Sequence, residues 1–159
     1  MERTPPPDLD IRFLVPEAKW PHRAYAESAG FDLSAYLLND VGRPMTTTIA
    51  PHTTKVIRTG LALRPPPGSL ILICSRSGYA AQGVFVANAP GVVDPDYTGE
   101  IKVALFNGSL EPFYVKHHDR IAQALVMPYL SPQLRQVESF PITLRGTRGF
   151  GSSDTPEHP

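Results

Sequence analysis

Five short stretches of this chain gather residue types that can do chemistry: AGFDLSA (29–35), SRSGYAAQG (75–83), NAPGVVDPDYTGE (88–100), DRIAQAL (119–125) and RGTRGFGSSD (145–154). Carboxylates such as Asp32, Asp94 and Asp96 can hold a water or take its proton, and arginines, hydroxyls and glycine backbone can hold an anion. Each stretch taken alone also has an ordinary reading. In GVVDPDYTGE, Pro95 fixes its own φ, Asp96 favours turns, Gly99 relieves backbone strain, and Val92, Val93, Ile101 and Val103 form strand-like flanks, which describes a hairpin with a solvated tip. RSG describes a helix entry, and the glycine-rich 145–154 a flexible tail carrying an exposed aromatic. His117 and His118 are adjacent, would face opposite ways on a strand, and suit a wet loop beside Asp119 better than a metal site.

Whatever these stretches do, short strands must position them. Prolines (18) and glycines (12) are spread along the whole length, so hardly any window of a dozen residues can remain an uninterrupted helix. Between them lie runs rich in β-branched and aliphatic residues: IRFLV (11–15), TTKVIRTGLAL (53–63), SLILICS (69–75), GVFVA (83–87), IKVALFN (101–107) and IAQALVMPYL (121–130). This pattern predicts an all-β sandwich or barrel. The one helical candidate is SGYAAQG, which Ser77 would cap and Gly83 would end. Residues 1–8 and 146–159 have little to bury and read as mobile tails.

A chain of 159 residues suits one domain with a real core, and it contains no internal repeat or interdomain linker. Acidic and basic side chains balance at 15 each, which argues against the basic face needed for a nucleic-acid polymer and leaves a small anionic ligand open. Cys74 is the single cysteine, so an intrachain disulfide and any CxxC site are excluded; it reads as a small buried hydrophobe and fits a reducing compartment. MERTPPPDLD lacks the apolar core of a signal peptide, and no apolar run is long enough to cross a bilayer. The expectation is a soluble protein of the cytoplasm or nucleus with no membrane partner.

The sequence contains no GxxxxGK(S/T) phosphate loop, HExxH, GxSxG or strand-GxGxxG-helix unit. The five polar clusters, in this order and spacing, instead resemble the five motifs of the trimeric deoxyuridine triphosphatase (dUTPase) family, over about residues 11–153. The resemblance implies a jelly-roll-like β subunit with a core of about 11–144 and a lid tail at 145–159. It further implies a homotrimer with active sites shared between subunits, and hydrolysis of dUTP to dUMP and pyrophosphate with Mg2+ on the triphosphate.

Carried over residue by residue, the resemblance makes Asp94 the carboxylate that orients and deprotonates the attacking water. Arg76, Ser77 and Gly78 match the second motif, where a hydroxyl and backbone N–H groups cradle phosphate oxygens and the arginine mainly buttresses the site. Asp32 and Gln123 resemble residues that hold the phosphates and the water shell of the metal, which itself needs few direct protein ligands. The hairpin backbone at Val92 and Val93, with the Asn88 side chain, matches the uracil-reading edge, and Tyr97 matches the ring that leaves no space for a 2′-hydroxyl. Lys102 completes the implied substrate contacts of the hairpin. In the tail, Arg145 resembles the clamp on the γ-phosphate, Phe150 the ring that stacks on uracil, and Gly151 and Ser152 the backbone that wraps the phosphates.

Arg148 and Asp154 stand where the family often has glycine, and Pro95 is an unusual residue between the two motif aspartates. Arg148 reads as solvated, because its glycine neighbours set the backbone path. Two other functions share the resemblance: a nucleotide-binding regulatory module, and a dCTP deaminase, for which Glu100 would be the acidic candidate.

Overall fold

In the computed structural model, which describes residues 7–148, the short apolar runs form strands and the prolines and glycines fall between them. In chain order the elements are β1 (Asp10–Phe13), β2 (Phe31–Ser34), β3 (Thr46–Ile49), β4 (Thr54–Arg58), β5 (Leu61–Arg64), β6 (Ser69–Cys74), α1 (Ser77–Ala80), β7 (Val84–Val86), β8 (Gly91–Val93), β9 (Lys102–Asn107), β10 (Phe113–Lys116) and β11 (Arg120–Pro128). They pair as a four-stranded sheet in the order β2-β11-β6-β8, a three-stranded sheet β4-β9-β7, and the two-stranded ribbons β1-β5 and β10-β3. All the pairings are antiparallel. This is the all-β architecture that the run pattern predicts, and it fits the jelly-roll-like subunit that the resemblance implies.

The inner faces of the strands supply one buried cluster, with Leu33, Leu61, Ile71, Leu105 and Ile121 fully enclosed. Each such side chain is worth about 1.5–3 kcal/mol on burial, which is what holds short strands together without long helices. Along β6 the alternation is regular: Ser69, Ile71 and Ile73 are buried, while Leu70, Leu72 and Cys74 are half-buried on the other face. Cys74 therefore differs from the expected buried hydrophobe, because the pleat turns it outward.

Gly60 divides the run 53–63 into β4 and β5. Its φ is +71°, and a Cβ there would lie 2.6 Å from Val15 Cγ2 and 2.9 Å from Ala18 Cβ. A left-handed turn this close to packed side chains accepts glycine alone. Four strands fall outside the apolar runs. β8 is the strand-like flank at Val92 and Val93, while β2 lies within a polar cluster, β3 is TTTI and β10 is FYVK, each too polar or too short to stand out by composition.

One local expectation is corrected. The helix is capped by Arg76 in an extended conformation with no side-chain bond, and Ser77 is its first helical residue, so the Ser77 hydroxyl is left for other partners. Gly83 does end the turn, at φ +77° with its N–H on Ala80 O. His117 and His118 occupy the turn after β10, the loop beside Asp119 that the sequence suggests. His118 has φ +68° and the two rings lie 3.6 Å apart.

His117 ties this turn to the segment after β2: its Nδ1 accepts the Leu37 N–H at 3.0 Å, and its ring meets Tyr36 edge-on at 5.7 Å. His118 Nε2 lies 2.9 Å from Glu17 O. Partial burial and then the His118 ring push the His117 pKa down from its ordinary 6.5, against an upward pull from Glu17, with Lys19 adding the smallest downward push. An imidazolium cannot accept the Leu37 N–H, so the proton favours the unfolded chain. Stability should be constant above pH 6.5 and decline below it, as the unfolded chain takes up the proton first. Thermal melts between pH 7.5 and about 5 should show this decline in wild type and a shallower one in His117→Gln.

Candidate active site

The register of the four-stranded sheet builds the first half of the site. Asp32 on β2 stands opposite Gln123 on β11, which stands opposite Cys74 on β6, so the three form one row across the outer face. The next row, Phe31, Ala124 and Ile73, points into the core and is buried. A register shift between Arg120 and Ala122 makes Ile121 a bulge residue, and Ile121 and Ala122 are both fully buried. The extra residue turns Arg120 onto the outer face beside the row.

Asp32 is thereby held between two guanidiniums. Arg76 Nε donates to Oδ1 at 2.7 Å and Arg120 Nη1 to Oδ2 at 3.1 Å, while Arg76 Nη1 also donates to Arg120 O at 2.9 Å. Gln123 Nε2 donates to Ser75 O at 2.9 Å, which orients its amide oxygen toward Gly30, where a Cβ would come within 3.1 Å of it. These groups line an open cleft of about 520 Å³ together with Cys74 and Ser77. The first N–H groups of α1, those of Ser77 and Gly78, have no acceptor within the helix, and a side chain at Gly78 would meet nothing. Tyr79 anchors the short helix from beneath, with its ring edge-on to Phe113 at 4.9 Å. Burial and then the charge of Asp119 raise its pKa to about 12, so the hydroxyl stays neutral.

The second half is the hairpin. β8 pairs with β6 through Ile73↔Gly91, Leu72↔Val92 and Ile71↔Val93 and is the outermost strand of its sheet. One edge of its backbone is therefore unpaired among the described residues. The chain then turns, with Tyr97 N–H on Asp94 O at 3.1 Å. Asn88 packs against Gly91, where a Cβ would sit 3.1 Å from Asn88 Nδ2. The hydroxyl end of the Tyr97 ring lies close to Gly99, where a Cβ would fall 2.5 Å from the hydroxyl oxygen, and that hydroxyl donates to Glu100 O at 2.9 Å. Asn88, Val92, Val93, Asp94, Tyr97 and Lys102 line a cleft of about 240 Å³.

The structure thus brings the predicted residues together in two groups. Asp32, Arg76, Ser77 and Gln123 share one cleft, with Gly78 next to Ser77 on α1, and the hairpin residues share the other. No residue lines both. Ile73 lines the hairpin cleft and Cys74, the next residue of the strand, lines the Asp32 cleft, so the pleat of β6 separates them. Arg145 lines neither. It is exposed and donates from Nε to Arg148 O at 3.0 Å, while Arg148 donates to the carbonyls of Arg145 and Leu144. Phe150, Gly151 and Ser152 lie outside the described residues, as does Asp154.

Arg120 is the residue that sequence reasoning missed. Its motif was visible, but which face it takes depends on a bulge that no composition reveals. Glu100, the acid that deamination would need, has both carboxylate oxygens on the Arg58 Nε at 3.0 and 3.1 Å and accepts the Gly60 N–H at 2.9 Å. Its carboxylate is therefore engaged with Arg58 and Gly60 rather than free. Among the described residues no group of three or more His, Cys, Asp or Glu could hold a metal ion. The donors present, Gln123 Oε1 and the remaining lone pairs of Asp32, suit a hydrated Mg2+ carried by phosphates and not one stripped of its waters.

The antiparallel β fold thus presents an arginine-bound aspartate on its outer face and an edge-strand hairpin beside a second cleft. The dUTPase family model matches residues 16–154, and the chain belongs to that family. Among curated relatives, the deoxyuridine 5'-triphosphate nucleotidohydrolase of Nautilia profundicola is 42% identical over 146 residues, covering 91% of this chain and 97% of its own. That of Rhodococcus erythropolis is 41% identical over 149 residues, covering 91% and 85%. Among solved structures, the Staphylococcus bacteriophage 80alpha dUTPase with dUpNHpp matches with a TM-score of 0.80 at 26% identity over 92% of this chain and 98% of that one. The phage phi11 dUTPase described with a structural Mg(II) ion has a TM-score of 0.73 at 23% identity, over 84% and 99%, and bears on the fold alone.

Replacing Asp32 by Asn keeps the shape but leaves two guanidiniums without their counter-charge. Urea unfolding should show a loss of about 1–3 kcal/mol. Arg120→Met, which removes the more exposed partner, should cost less than about 1 kcal/mol.

Proposed function

We propose that this chain hydrolyses dUTP to dUMP and pyrophosphate by attack of water on the α-phosphorus, as a unit of 1–159 whose last residues, 145–159, act as a lid. The observation that carries the reading is Asp94: an exposed carboxylate at the end of an edge strand, in the same cleft as Asn88, Tyr97 and Lys102.

The unpaired edge of β8 offers backbone donors and acceptors at Val92 and Val93 for the uracil edge, with the Asn88 amide beside them. A base read as a strand partner has no room for the methyl of thymine. Tyr97, close against Gly99, stands below the sugar and excludes a 2′-hydroxyl. Asp94 orients the attacking water and takes its proton as the oxygen bonds to the α-phosphorus and the bond to the bridging oxygen breaks, releasing pyrophosphate. Arg76, held by Asp32, keeps the phosphate cleft in shape, and the Ser77 hydroxyl and the first N–H groups of α1 meet the phosphate oxygens. Gln123 and Asp32 would hold the water shell of Mg2+, which supplies charge neutralisation on the triphosphate. Arg145, Phe150, Gly151 and Ser152 would close over the substrate, clamping the γ-phosphate, stacking on uracil and excluding water.

A homotrimer with shared sites accounts for the separation of the two clefts, because a nucleotide bound in one chain would have to pass around β6 to touch both. Two further features support assembly. Val56 and Phe85 are exposed on the β4-β9-β7 sheet, and the segment after β11 leaves Leu134, Ile142 and Leu144 about fully exposed, at 99%, 103% and 98%. Incubating the purified protein with a panel of deoxynucleoside triphosphates and Mg2+ tests the activity: dUMP and pyrophosphate from dUTP alone are expected, and dUTP formed from dCTP would overturn it.

Asp94→Asn keeps size and hydrogen bonding but cannot take the proton, so kcat should fall at least about a hundredfold while a non-hydrolysable dUTP analogue still binds in calorimetry. Co-expressing Asp94→Asn with an equally inactive Arg76→Ala chain should restore about a quarter of the activity if the two clefts of one site come from different subunits. No recovery would place them in one chain. Tyr97→Ala should raise the UTP to dUTP ratio of kcat/KM even as total activity drops; an unchanged ratio removes the ring as the sugar gate.

A further inference from the structure

We infer that Arg58 and Glu100 form a clamp that positions the Tyr97 ring and thereby sets the discrimination between deoxyribose and ribose, an inference that rests on the reading of Tyr97 as the sugar gate. The ring is fixed by the close approach of its hydroxyl end to Gly99 and by its hydroxyl on Glu100 O at 2.9 Å. Its position is therefore that of the residue 100 carbonyl. The tip of the hairpin cannot supply that precision, since Asp94, Asp96, Tyr97 and Thr98 are all exposed.

The side chain of Glu100 can supply it. Its carboxylate takes the Gly60 N–H at 2.9 Å and the Arg58 Nε at 3.0 and 3.1 Å. Gly60 is itself immobilised in the left-handed turn against Val15 and Ala18. The Arg58 guanidinium is held on its other side, over the Tyr36 ring at 5.5 Å. The residue that carries the acceptor of the Tyr97 hydroxyl is thus tied by its side chain to Arg58 and Gly60 as well as by its main chain.

A purely structural role fits less well. Main-chain bonds already strap this segment to the 59–61 turn, from Ile101 N–H to Leu61 O at 2.7 Å, with the Thr59 hydroxyl on Ile101 O at 2.6 Å. The Arg58 side chain is 51% exposed against 11% for Glu100, and a pair with so wet a partner contributes little to folding. What the clamp adds is placement, and misplacement by an ångström or less at such a site is costly in rate.

The test is kcat/KM for dUTP and UTP, with melting temperature, in Arg58→Met, Glu100→Gln, Arg58→Lys and each of the first two combined with Tyr97→Phe. Arg58→Met and Glu100→Gln should each raise the UTP to dUTP ratio about tenfold with a melting temperature close to wild type. Arg58→Lys, which keeps the charge, should restore part of the discrimination. In the Tyr97→Phe background, where the hydroxyl is gone, neither substitution should move the ratio further. Unchanged ratios in folded single variants, or equal shifts with and without the Tyr97 hydroxyl, would overturn the clamp. Should Glu100→Gln fail to fold, the exposed Arg58→Met carries the test by itself. If Tyr97→Ala relaxes the ratio and the clamp variants do not, this inference alone fails; if Tyr97→Ala changes nothing, the gate fails and takes the clamp with it.

Discussion

The register of β6 between β11 and β8 is the constraint on which the other features of the site depend. A strand shows its side chains alternately to its two faces, and here one face is committed to the core by Ile71 and Ile73. A slip of one residue along β6 would drive Cys74 inward, expose Ile71 and Ile73, and remove Cys74 from the row it shares with Gln123 and Asp32. The hydrophobic core thereby selects which polar side chains share the outer face. The same pleat explains why the hairpin cleft and the Asp32 cleft are separate in one chain.

Charge is handled in bound groups rather than as a field. The net charge is +0, yet each cleft carries a local arrangement that the total does not reveal. Asp32 organises two arginines that would otherwise repel each other beside a polyanion, and Glu100 draws Arg58 and the Gly60 N–H to one point. In both cases a half-buried carboxylate acts on its surroundings through its partners, which is a different use from that of Asp94, exposed at the mouth of its cleft. Three carboxylates of the same chemical type thus have three environments, and the environments follow from strand register and turn geometry.

Glycine has a matching role at three close approaches. Gly60 lets a left-handed turn pass against Val15 and Ala18, Gly99 lets the hydroxyl end of the Tyr97 ring approach the backbone closely, and Gly30 leaves space for the amide of Gln123. A methyl at any of them would displace a group of the site, so the backbone and the side chains there are specified together.

Much was legible in the sequence because it depends on local order. The scatter of prolines and glycines excluded long helices, six apolar runs marked most of the strands, and the five polar clusters, in their order, carried the family. The tertiary structure decided what no local pattern encodes. It assigned β2 to a strand although it lies within a polar cluster, moved the helix cap from Ser77 to Arg76, turned Cys74 outward, and brought the two histidine rings within 3.6 Å. It also brought Arg120 to Asp32 through one bulged residue and joined Glu100 to Arg58 across 42 positions. The physical reason is common to all of these: residue type determines what a side chain can do, but which neighbours it meets is settled by strand pairing between distant segments, where one added residue reverses the face on which it stands.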